Sequence, residues 1–277
     1  MKLLRTIAEL KSYRNDLAGS VGLVPTMGFL HEGHLSLVRQ SKSDCDQSIV
    51  SIFVNPTQFG PNEDFNSYPR DTERDLRLLE KAGADAVFLP SVDEMYPKDA
   101  DTFVLPGKIA GKLEGSVRSG HFKGVATVVL KLVNLVQPTK AYFGQKDAQQ
   151  VAVIKKIVCD LNVPVEIVVM PIVRERDGLA MSSRNTYLNP AERSSATVLY
   201  RALELAESLI KSGERDGHIV KKNMTDLIIS EPLARIDYIS TADVNSLEEQ
   251  HIIVKPVLIS LAVKIGRTRL IDNFVLD

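Results

Sequence analysis

Stretches of apolar, largely β-branched residues alternate with segments of helical periodicity over roughly the first 170 residues of the chain. The apolar stretches are each short enough to form one strand, and they lie at residues 21–25, 48–54, 86–89, 140–143 and 165–173. Parallel strands need a long connection, which a helix supplies. The alternation therefore predicts a parallel sheet with crossover helices.

Between these strands, apolar residues recur at spacings of three and four, as the buried side of a helix requires. They predict helices over residues 33–42, 72–82, 125–136 and 147–161. Thr72 with Asp75 three residues later is typical of a capping box, and Gly83 of a helix end. Pro171 indicates an edge strand or a strand end, since proline cannot donate to a sheet ladder. The whole predicts a Rossmann-like, doubly wound domain that binds ligands beyond the carboxyl ends of its strands.

The pattern changes after Val173. Asn189 followed by Pro190 and Glu192 is typical of a helix start, and this helix is predicted to run to about Lys211. A second helix is predicted over 217–230, and strands over 235–241, 256–264 and 268–275. We therefore predict two domains, a Rossmann-like domain over 1–174 and a smaller α+β C-terminal domain over 175–277.

Composition narrows the classes of protein to which the chain can belong. Its 277 residues carry 34 Lys and Arg against 35 Asp and Glu, so no basic excess favours a nucleic-acid partner. Cys45 and Cys159 are the only cysteines, which excludes a disulfide scaffold and favours a reducing compartment. The chain lacks the apolar runs of a signal peptide or a membrane span. We expect a cytosolic protein without a membrane partner.

The first predicted strand leads through a turn with two histidines into a helix. His31 and His34 flank Gly33, which places imidazole groups beside the free N–H groups of a helix N-terminus. This combination favours phosphate binding, and Gly28 and Gly33 permit close approach of the backbone to a ligand. A zinc protease site is excluded because it needs HExxH and this chain has HExH. The alternative interpretation is a pair of surface histidines at a helix start.

Two further polar turns are compatible with a phosphate site. Lys146 follows the predicted strand 140–143, and Arg184 lies in a polar segment after the strand 165–173. Both cations could neutralise phosphate oxygens, Ser182 and Ser183 could hydrogen-bond them, and Asp147 could cap a helix or contact a ribose. Each turn taken singly is equally compatible with an ordinary polar loop.

Six ordered segments along nearly the whole chain can be compared with known families, and they lie at residues 25–34, 53–59, 68–70, 120–122, 142–150 and 182–185. Together they resemble the pantothenate synthetase family, also called pantoate–beta-alanine ligases. This family is part of the nucleotidyltransferase group with the HxGH motif, which includes class I aminoacyl-tRNA synthetases.

The resemblance implies a two-step, ATP- and Mg²⁺-dependent reaction in vitamin B5 and coenzyme A biosynthesis. Pantoate and ATP give pantoyl adenylate and pyrophosphate, and beta-alanine then releases pantothenate and AMP. The resemblance also implies a homodimer, and a first domain that binds nucleotide and pantoate with the second covering the active site.

The resemblance also assigns site residues. Gln58 is implied to contact pantoate and beta-alanine, and Gln150 to contact pantoate. His34, His31 and Lys146 are implied to be catalytic, with His34 the principal histidine. The implied ATP site comprises Pro25, Thr26, Met27, Gly28, Phe29, Leu30, His31, Glu32, Gly33, His34, Gly144, Gln145, Lys146, Asp147, Val173, Met181, Ser182, Ser183 and Arg184.

Three points qualify this assignment. Some relatives carry a lysine before the serine pair where this chain has Met181, which leaves Arg184 and Lys146 as the expected cations on the β and γ phosphates. The glycine-rich segment 111–124 has the composition of a mobile cover, with a plain connecting loop as the alternative. Asp75 could approach a metal, but its capping position already accounts for it, so no metal ligand is assigned.

Two other functions compete with this interpretation. One is an HxGH nucleotidyltransferase that transfers a nucleotidyl group to a phosphorylated acceptor and stops there. The other is a catalytically silent nucleotide-binding regulator, which retention of His31, His34 and Lys146 disfavours. A class I aminoacyl-tRNA synthetase is disfavoured because the chain is short and has no basic excess.

Overall fold

The computed structural model describes residues 1–61 and 63–277, and the chain divides into two compact units. The first unit comprises residues 1–144 and 153–170, and the second comprises residues 145–152 and 171–277. The segment 145–152 therefore belongs to the second unit although first-unit segments flank it on both sides.

The secondary structure alternates strands and helices up to β6 and then changes character. The strands are β1 (Lys2–Leu4), β2 (Val21–Thr26), β3 (Gln47–Ile52), β4 (Ala86–Phe88), β5 (Lys140–Gly144), β6 (Glu166–Met170), β7 (Ala234–Asp243), β8 (Val257–Ile265) and β9 (Thr268–Leu276). The helices are α1 (Ile7–Asn15), α2 (Glu32–Asp44), α3 (Thr72–Ala82), α4 (Val92–Met95), α5 (Leu113–Val117), α6 (His121–Val136), α7 (Ala148–Asp160), α8 (Pro190–Ser195), α9 (Val198–Lys211) and α10 (Gly217–Ile229). Short 3-10 helices lie at Pro56–Gln58, Lys108–Gly111, Gln145–Asp147 and Ser183–Tyr187.

The first unit contains a six-stranded parallel sheet in the order β1-β4-β3-β2-β5-β6. The chain moves from β2 to β3 and β4 on one side, and then returns to β5 and β6 on the other side of β2. The order therefore reverses between β2 and β5, and such a reversal is where doubly wound sheets bind ligands at the carboxyl ends of the strands. The predicted doubly wound α/β fold is confirmed.

Apolar residues on neighbouring strands form the core of this sheet. Val24 pairs in register with Val50, which pairs with Val87, and all three are fully buried. Leu37 and Val38 of α2 belong to the same buried cluster. β-branched side chains suit this position because they pack closely on a pleated surface covered by helices.

The second unit carries the predicted antiparallel strands, β7, β8 and β9, in sequential order. Ile259 and Leu261 of β8 pack in one buried cluster with Leu203 of α9 and Met224 of α10. Gly266 forms the predicted turn between β8 and β9 with a φ of 57°, a conformation that favours glycine. The prediction of a smaller α+β region at the C-terminal end is confirmed.

Several local predictions differ from the structure. β1 and α1 were not predicted, and the single helix expected from residue 190 to 211 is divided into α8 and α9 at residues 196 and 197. The capping box assigned to Thr72 and Asp75 is wrong, because Asp71 is the N-cap of α3 and accepts a hydrogen bond from the Arg74 N–H. The strand end expected near Pro171 is confirmed, since the edge strand β6 stops at Met170.

Within residues 1–61 and 63–277, no helix is long and apolar enough to cross a membrane.

Candidate active site

The first residues of the turn between β2 and α2 are closely packed against β3 and α3. Thr26 ends β2, where its hydroxyl donates to the Ser51 carbonyl at 2.7 Å and accepts the Gly28 N–H at 3.2 Å. Gly28 has a φ of +83°, and a Cβ there would lie 3.0 Å from Ile52 and 3.1 Å from Asp75. Only glycine fits this position without strain.

Two neighbouring residues of α3 hold the next part of the turn. The Asp75 carboxylate accepts hydrogen bonds from the N–H groups of Phe29 at 2.6 Å and Leu30 at 2.8 Å. Arg74 donates to the Leu30 carbonyl at 2.9 Å. Asp75 is 1% exposed, and this burial raises the pKa of its carboxyl although both N–H groups act in the opposite direction. Asp75 therefore stabilises the turn, and the N–H groups of Phe29 and Leu30 are used in these hydrogen bonds.

The two histidines lie at the start of α2, and their contacts fix which atoms they offer. His31 is the N-cap, and its N–H donates to Nδ1 of His34 at 3.3 Å. In neutral His34 the proton must then reside on Nε2, which becomes a hydrogen-bond donor. Glu32 and Gly33 are the first residues of α2, where N–H groups have no intrahelical acceptor. This end of α2 can therefore donate to an anion from both backbone and side chain.

Gln58 lies in the 3-10 helix after β3, where Asn55 fixes the orientation of its amide. Asn55 donates from Nδ2 to Gln58 Oε1 at 3.0 Å and to the Gly124 carbonyl at 3.1 Å, while its own Oδ1 accepts from Thr57. Gln58 therefore accepts through Oε1 and donates through Nε2, which lies 3.2 Å from Met27 Sδ. The Gln58 amide thus presents a donor next to the turn after β2.

His121, at the start of α6, supports the backbone of Gln58. A carbonyl can only accept, so His121 Nδ1 donates to the Gln58 carbonyl at 2.8 Å. Nε2 lies 3.0 Å from Arg118 Nη1 and accepts from it, and Arg118 also forms two 2.7 Å bonds with Glu63. Burial and the Arg118 guanidinium lower the pKa of His121 to about 4. His121 is therefore a neutral link between α6 and the 3-10 helix that carries Gln58.

The remaining sequence-predicted residues lie in the second unit, apart from Gly144 at the end of β5. Gln145–Asp147 form a 3-10 helix directly before α7, and Gln150 lies in the first turn of α7. Lys146 and Gln150 are half-buried, and Asp147 is exposed.

A hairpin brings two predicted ATP-site residues together. The Met181 N–H donates to the Val173 carbonyl at 3.0 Å, and the next residues inward, Arg174 and Ala180, form a β-bridge. Ser182 follows as the N-cap of a 3-10 helix and accepts the Arg184 N–H at 3.2 Å, while Ser183 is buried. The Ser182 oxygen is thus used locally, and its hydroxyl hydrogen can still be donated to a ligand.

Three residues with a part in this geometry were missed or misread from the sequence. The sequence pattern gives Asn55 no individual role, places His121 in a segment with the composition of a cover, and gives Asp75 a capping position. Their partners lie up to 69 residues away in the chain. The buried polar character of such residues cannot be read from local periodicity.

Known proteins that are similar to this chain match it over nearly its whole length. The family profile of pantoate-beta-alanine ligase matches residues 2–275. A pantothenate synthetase of Roseiflexus sp. (strain RS-1) is 58% identical over 277 residues, covering 100% of both chains. The crystal structure of pantothenate synthetase from Thermus thermophilus is similar with a TM-score of 0.95 and 45% identity, covering 99% of each chain.

A third similar protein was crystallised with ligands. Pantoate-beta-alanine ligase from Francisella tularensis, in complex with beta-gamma ATP and beta-alanine, has a TM-score of 0.82 and 36% identity. The similarity covers 99% of this chain and 97% of that one.

Proposed function

The chain belongs to the pantoate-beta-alanine ligase family, and we propose that it joins pantoate to beta-alanine through a pantoyl adenylate formed from ATP. It is an ATP-dependent ligase that produces pantothenate. The two-step route is supported by the start of α2, where His34 lies in the first turn together with Glu32 and Gly33, whose N–H groups have no acceptor within the helix.

The first step activates the acid. A carboxylate is a poor electrophile, so one of its oxygens attacks the α-phosphorus of ATP, and the bond to the pyrophosphate oxygen breaks. Negative charge grows on the phosphoryl oxygens in the transition state. Donors that are already oriented stabilise this charge without reorganisation. His34 is proposed to donate from Nε2 here, with His31 beside it, and Lys146 and Arg184 to neutralise the departing phosphates.

The second step forms the amide. The neutral amine of beta-alanine attacks the pantoyl carbonyl, the bond from this carbon to the AMP oxygen breaks, and the nitrogen loses a proton. AMP leaves with the electron pair of the broken bond. The adenylate lowers the barrier because AMP is a far better leaving group than an oxide ion.

Pantoate is proposed to contact Gln58 and Gln150. The pantoate carboxylate must stay nucleophilic, and a neutral amide donor positions it without the quenching effect of an arginine. Asn55 makes the Gln58 donor available by occupying its oxygen. Gln58 is also proposed to contact beta-alanine.

The proposed ATP contacts are residues 25–34, 144–147, Val173 and 181–184. Among the described residues, no group of three His, Cys, Asp or Glu side chains could hold a metal ion. Asp75, which accepts hydrogen bonds from the N–H groups of Phe29 and Leu30, is already engaged by the protein. We propose that Mg²⁺ enters as part of its ATP complex, since Mg²⁺ is usually held by phosphates and few protein ligands.

We further propose a cytoplasmic homodimer. Cys45 and Cys159 are both free thiols, as a reducing compartment requires. Twofold dimers are the commonest assemblies of soluble proteins. Light scattering coupled to size-exclusion chromatography tests the assembly, and a mass near 30.6 kDa would contradict it.

The function is tested by an assay in which ATP, Mg²⁺, pantoate and beta-alanine are omitted in turn. With all four present, pantothenate and AMP are expected in equal amounts. With only beta-alanine omitted, exchange of labelled pyrophosphate into ATP is expected to depend on pantoate. Exchange without pantoate, or pantothenate formed with ADP, would contradict the proposal.

A further inference from the structure

A buried asparagine near the C-terminus of the chain contacts the turn that carries Lys146. Asn273 lies on β9, opposite Ser260 of β8, and is 2% exposed. A buried amide must satisfy its hydrogen bonds within the protein, because an unmade bond leaves the cost of removing the group from water uncompensated. The partners of Asn273 therefore indicate what its amide holds in place.

Those partners belong to two consecutive residues of the 3-10 helix before α7. Asn273 Nδ2 donates to the Gln145 carbonyl at 3.1 Å and to the Lys146 carbonyl at 2.9 Å. Its Oδ1 accepts from the side chain of Gln145 at 3.0 Å. Two of these hydrogen bonds hold the backbone from which the Lys146 side chain extends, and the third holds the side chain of Gln145.

An ion pair fixes Asn273 in turn. Its N–H donates to Oδ1 of Asp272 at 2.8 Å, and Arg174 binds the same carboxylate with two bonds of 2.6 and 3.0 Å. Burial raises the pKa of the Asp272 carboxyl, while Arg174 and the ammonium of Lys146 act in the opposite direction. Arg174 also donates to the Gly178 carbonyl in the hairpin that carries Val173 and Met181. One network therefore joins the Lys146 turn to that hairpin.

We propose that Asn273 is a positioning residue for Lys146 in adenylate formation. This inference rests on the proposed function, in which the ammonium of Lys146 neutralises the departing phosphates. Asn273 acts through the backbone of the turn. Since a displacement of about 1 Å can cost a hundredfold in rate, we expect Asn273→Ala to slow adenylate formation by roughly tenfold to a hundredfold.

The test separates the two half-reactions. Pantoate-dependent pyrophosphate exchange reports adenylate formation, and beta-alanine attack on supplied pantoyl adenylate reports the second step. We expect Asn273→Ala to slow only the first, since Lys146 acts on phosphates that have left before the second. Ser260→Ala is the matched control, because Ser260 is buried at the paired position and its hydroxyl has no hydrogen-bond partner within the described residues. It should react at the wild-type rate in both steps.

A double-variant cycle distinguishes positioning from a general structural role. If Asn273 acts through Lys146, Asn273→Ala should slow adenylate formation far less in a Lys146→Ala background than in the wild type. Equal slowing in both backgrounds, or equal slowing of both half-reactions, would overturn the inference.

A folding measurement and a second variant distinguish a loss of positioning from a loss of folding. Circular dichroism melting checks folding, and Asn273→Ser tests the same contacts should the alanine variant not fold. If wild-type protein shows no pantoate-dependent exchange, the proposed function fails. If it does and Asn273→Ala exchanges equally fast, only this inference fails.

Discussion

Hydrogen bonds at single residues decide which atom each side chain offers to a ligand. Asn55 uses both its donor and its acceptor ends, so its amide has one satisfied orientation, and this in turn fixes the amide of Gln58. His34 is fixed in the same way by the His31 N–H. At this scale the chemistry depends on contacts that position ligand-facing atoms.

The orientation of Gln58 can be reversed by changing one atom of Asn55. In Asn55→Asp the new carboxylate cannot donate to Gln58 Oε1, so the Gln58 amide should turn and present its oxygen towards pantoate. Loss of one such hydrogen bond is worth about 0.5–1.5 kcal/mol, so we expect the KM for pantoate to rise about threefold to tenfold. The KM for ATP should change little.

Steady-state kinetics with each substrate varied separately measures this effect. Thr57→Val serves as the control, since it removes a bond to Asn55 Oδ1 and leaves the donor to Gln58 in place. Equal increases of both KM values would count against the role given to Asn55.

His121 predicts a pH dependence of stability. Its pKa is about 4 in the folded protein, compared with 6.5 for an ordinary histidine. Between these values the unfolded chain binds a proton that the folded protein does not, so stability decreases as pH falls through this window. From pH 7.5 to pH 5.0 the loss due to this group is about 2 kcal/mol.

Urea unfolding at the two pH values tests this contribution. His121→Asn keeps a donor for the Gln58 carbonyl but does not titrate, so its stability should fall less than that of the wild type between pH 7.5 and 5.0. Carboxylates common to both proteins cancel in the comparison. The same pH dependence in both proteins would show that His121 is not held neutral.

At the scale of secondary-structure elements, the close approach of α6 to the 3-10 helix at Pro56–Gln58 determines where Gln58 lies. A Cβ on Gly124 would lie 2.3 Å from the Thr57 carbonyl oxygen, so glycine is required at this contact. Asn55 and His121 add hydrogen bonds across the same contact.

The sign of the stability change caused by Gly124→Ala tests this contact. In an ordinary helix interior, alanine in place of glycine stabilises by roughly 0.5–1 kcal/mol. Here we expect destabilisation of about 1–3 kcal/mol, because the backbone of the 3-10 helix must shift. Denaturant unfolding measures the change, with Gly111→Ala as the control, since a Cβ at Gly111 meets nothing within 4 Å. Stabilisation by Gly124→Ala would contradict the described packing.

The elements differ in how well their sequences predict them. β2, β3 and β5 are covered on both faces, so most of their residues are buried and their sequences are predominantly apolar. β1 has only three residues, and α1 buries only Leu10, so neither carries a readable pattern. Only two residues, Ala196 and Thr197, separate α8 from α9. The sequence on both sides has a helical pattern, so the pattern does not show this break.

The candidate site was predictable to the extent that it is contiguous in sequence. Residues 25–34 form one turn and one helix start, so their motif predicts phosphate binding. The support from Asp75, Asn55 and Asn273 comes from distant parts of the chain, and these contacts exist only after folding. Sequence patterns record burial and local conformation, and they do not record which distant partner satisfies a buried polar group.

At the scale of the whole molecule, the chain passes between the two units three times, after residues 144, 152 and 170. The residues proposed to contact ATP also lie far apart in the sequence, from the histidine turn after β2 to Lys146 and Arg184. Loss of Arg184 alone is therefore expected to weaken the binding of ATP.

Ligand-induced stabilisation tests the contribution of Arg184 to ATP binding. A nonhydrolysable ATP analogue at one hundred times its Kd should stabilise the wild type by about 2.7 kcal/mol. At the same analogue concentration, Arg184→Ala should show a smaller increase in Tm. Arg201→Ala, an exposed arginine of the second unit, is the control and should keep the full increase. An unchanged increase in Arg184→Ala would show that Arg184 does not contribute to nucleotide binding.

The turn after β2 is proposed to stabilise the transition state in which pantoate displaces pyrophosphate from ATP. Rapid-quench measurement of a single turnover with labelled ATP and pantoate, without beta-alanine, tests this role. His34→Ala should form adenylate about a hundredfold to a thousandfold more slowly than the wild type, which is the usual cost of losing one transition-state donor. His218→Ala, an exposed histidine of the second unit, should react at the wild-type rate, with unchanged melting of both variants. A wild-type rate of adenylate formation in His34→Ala would contradict the claim.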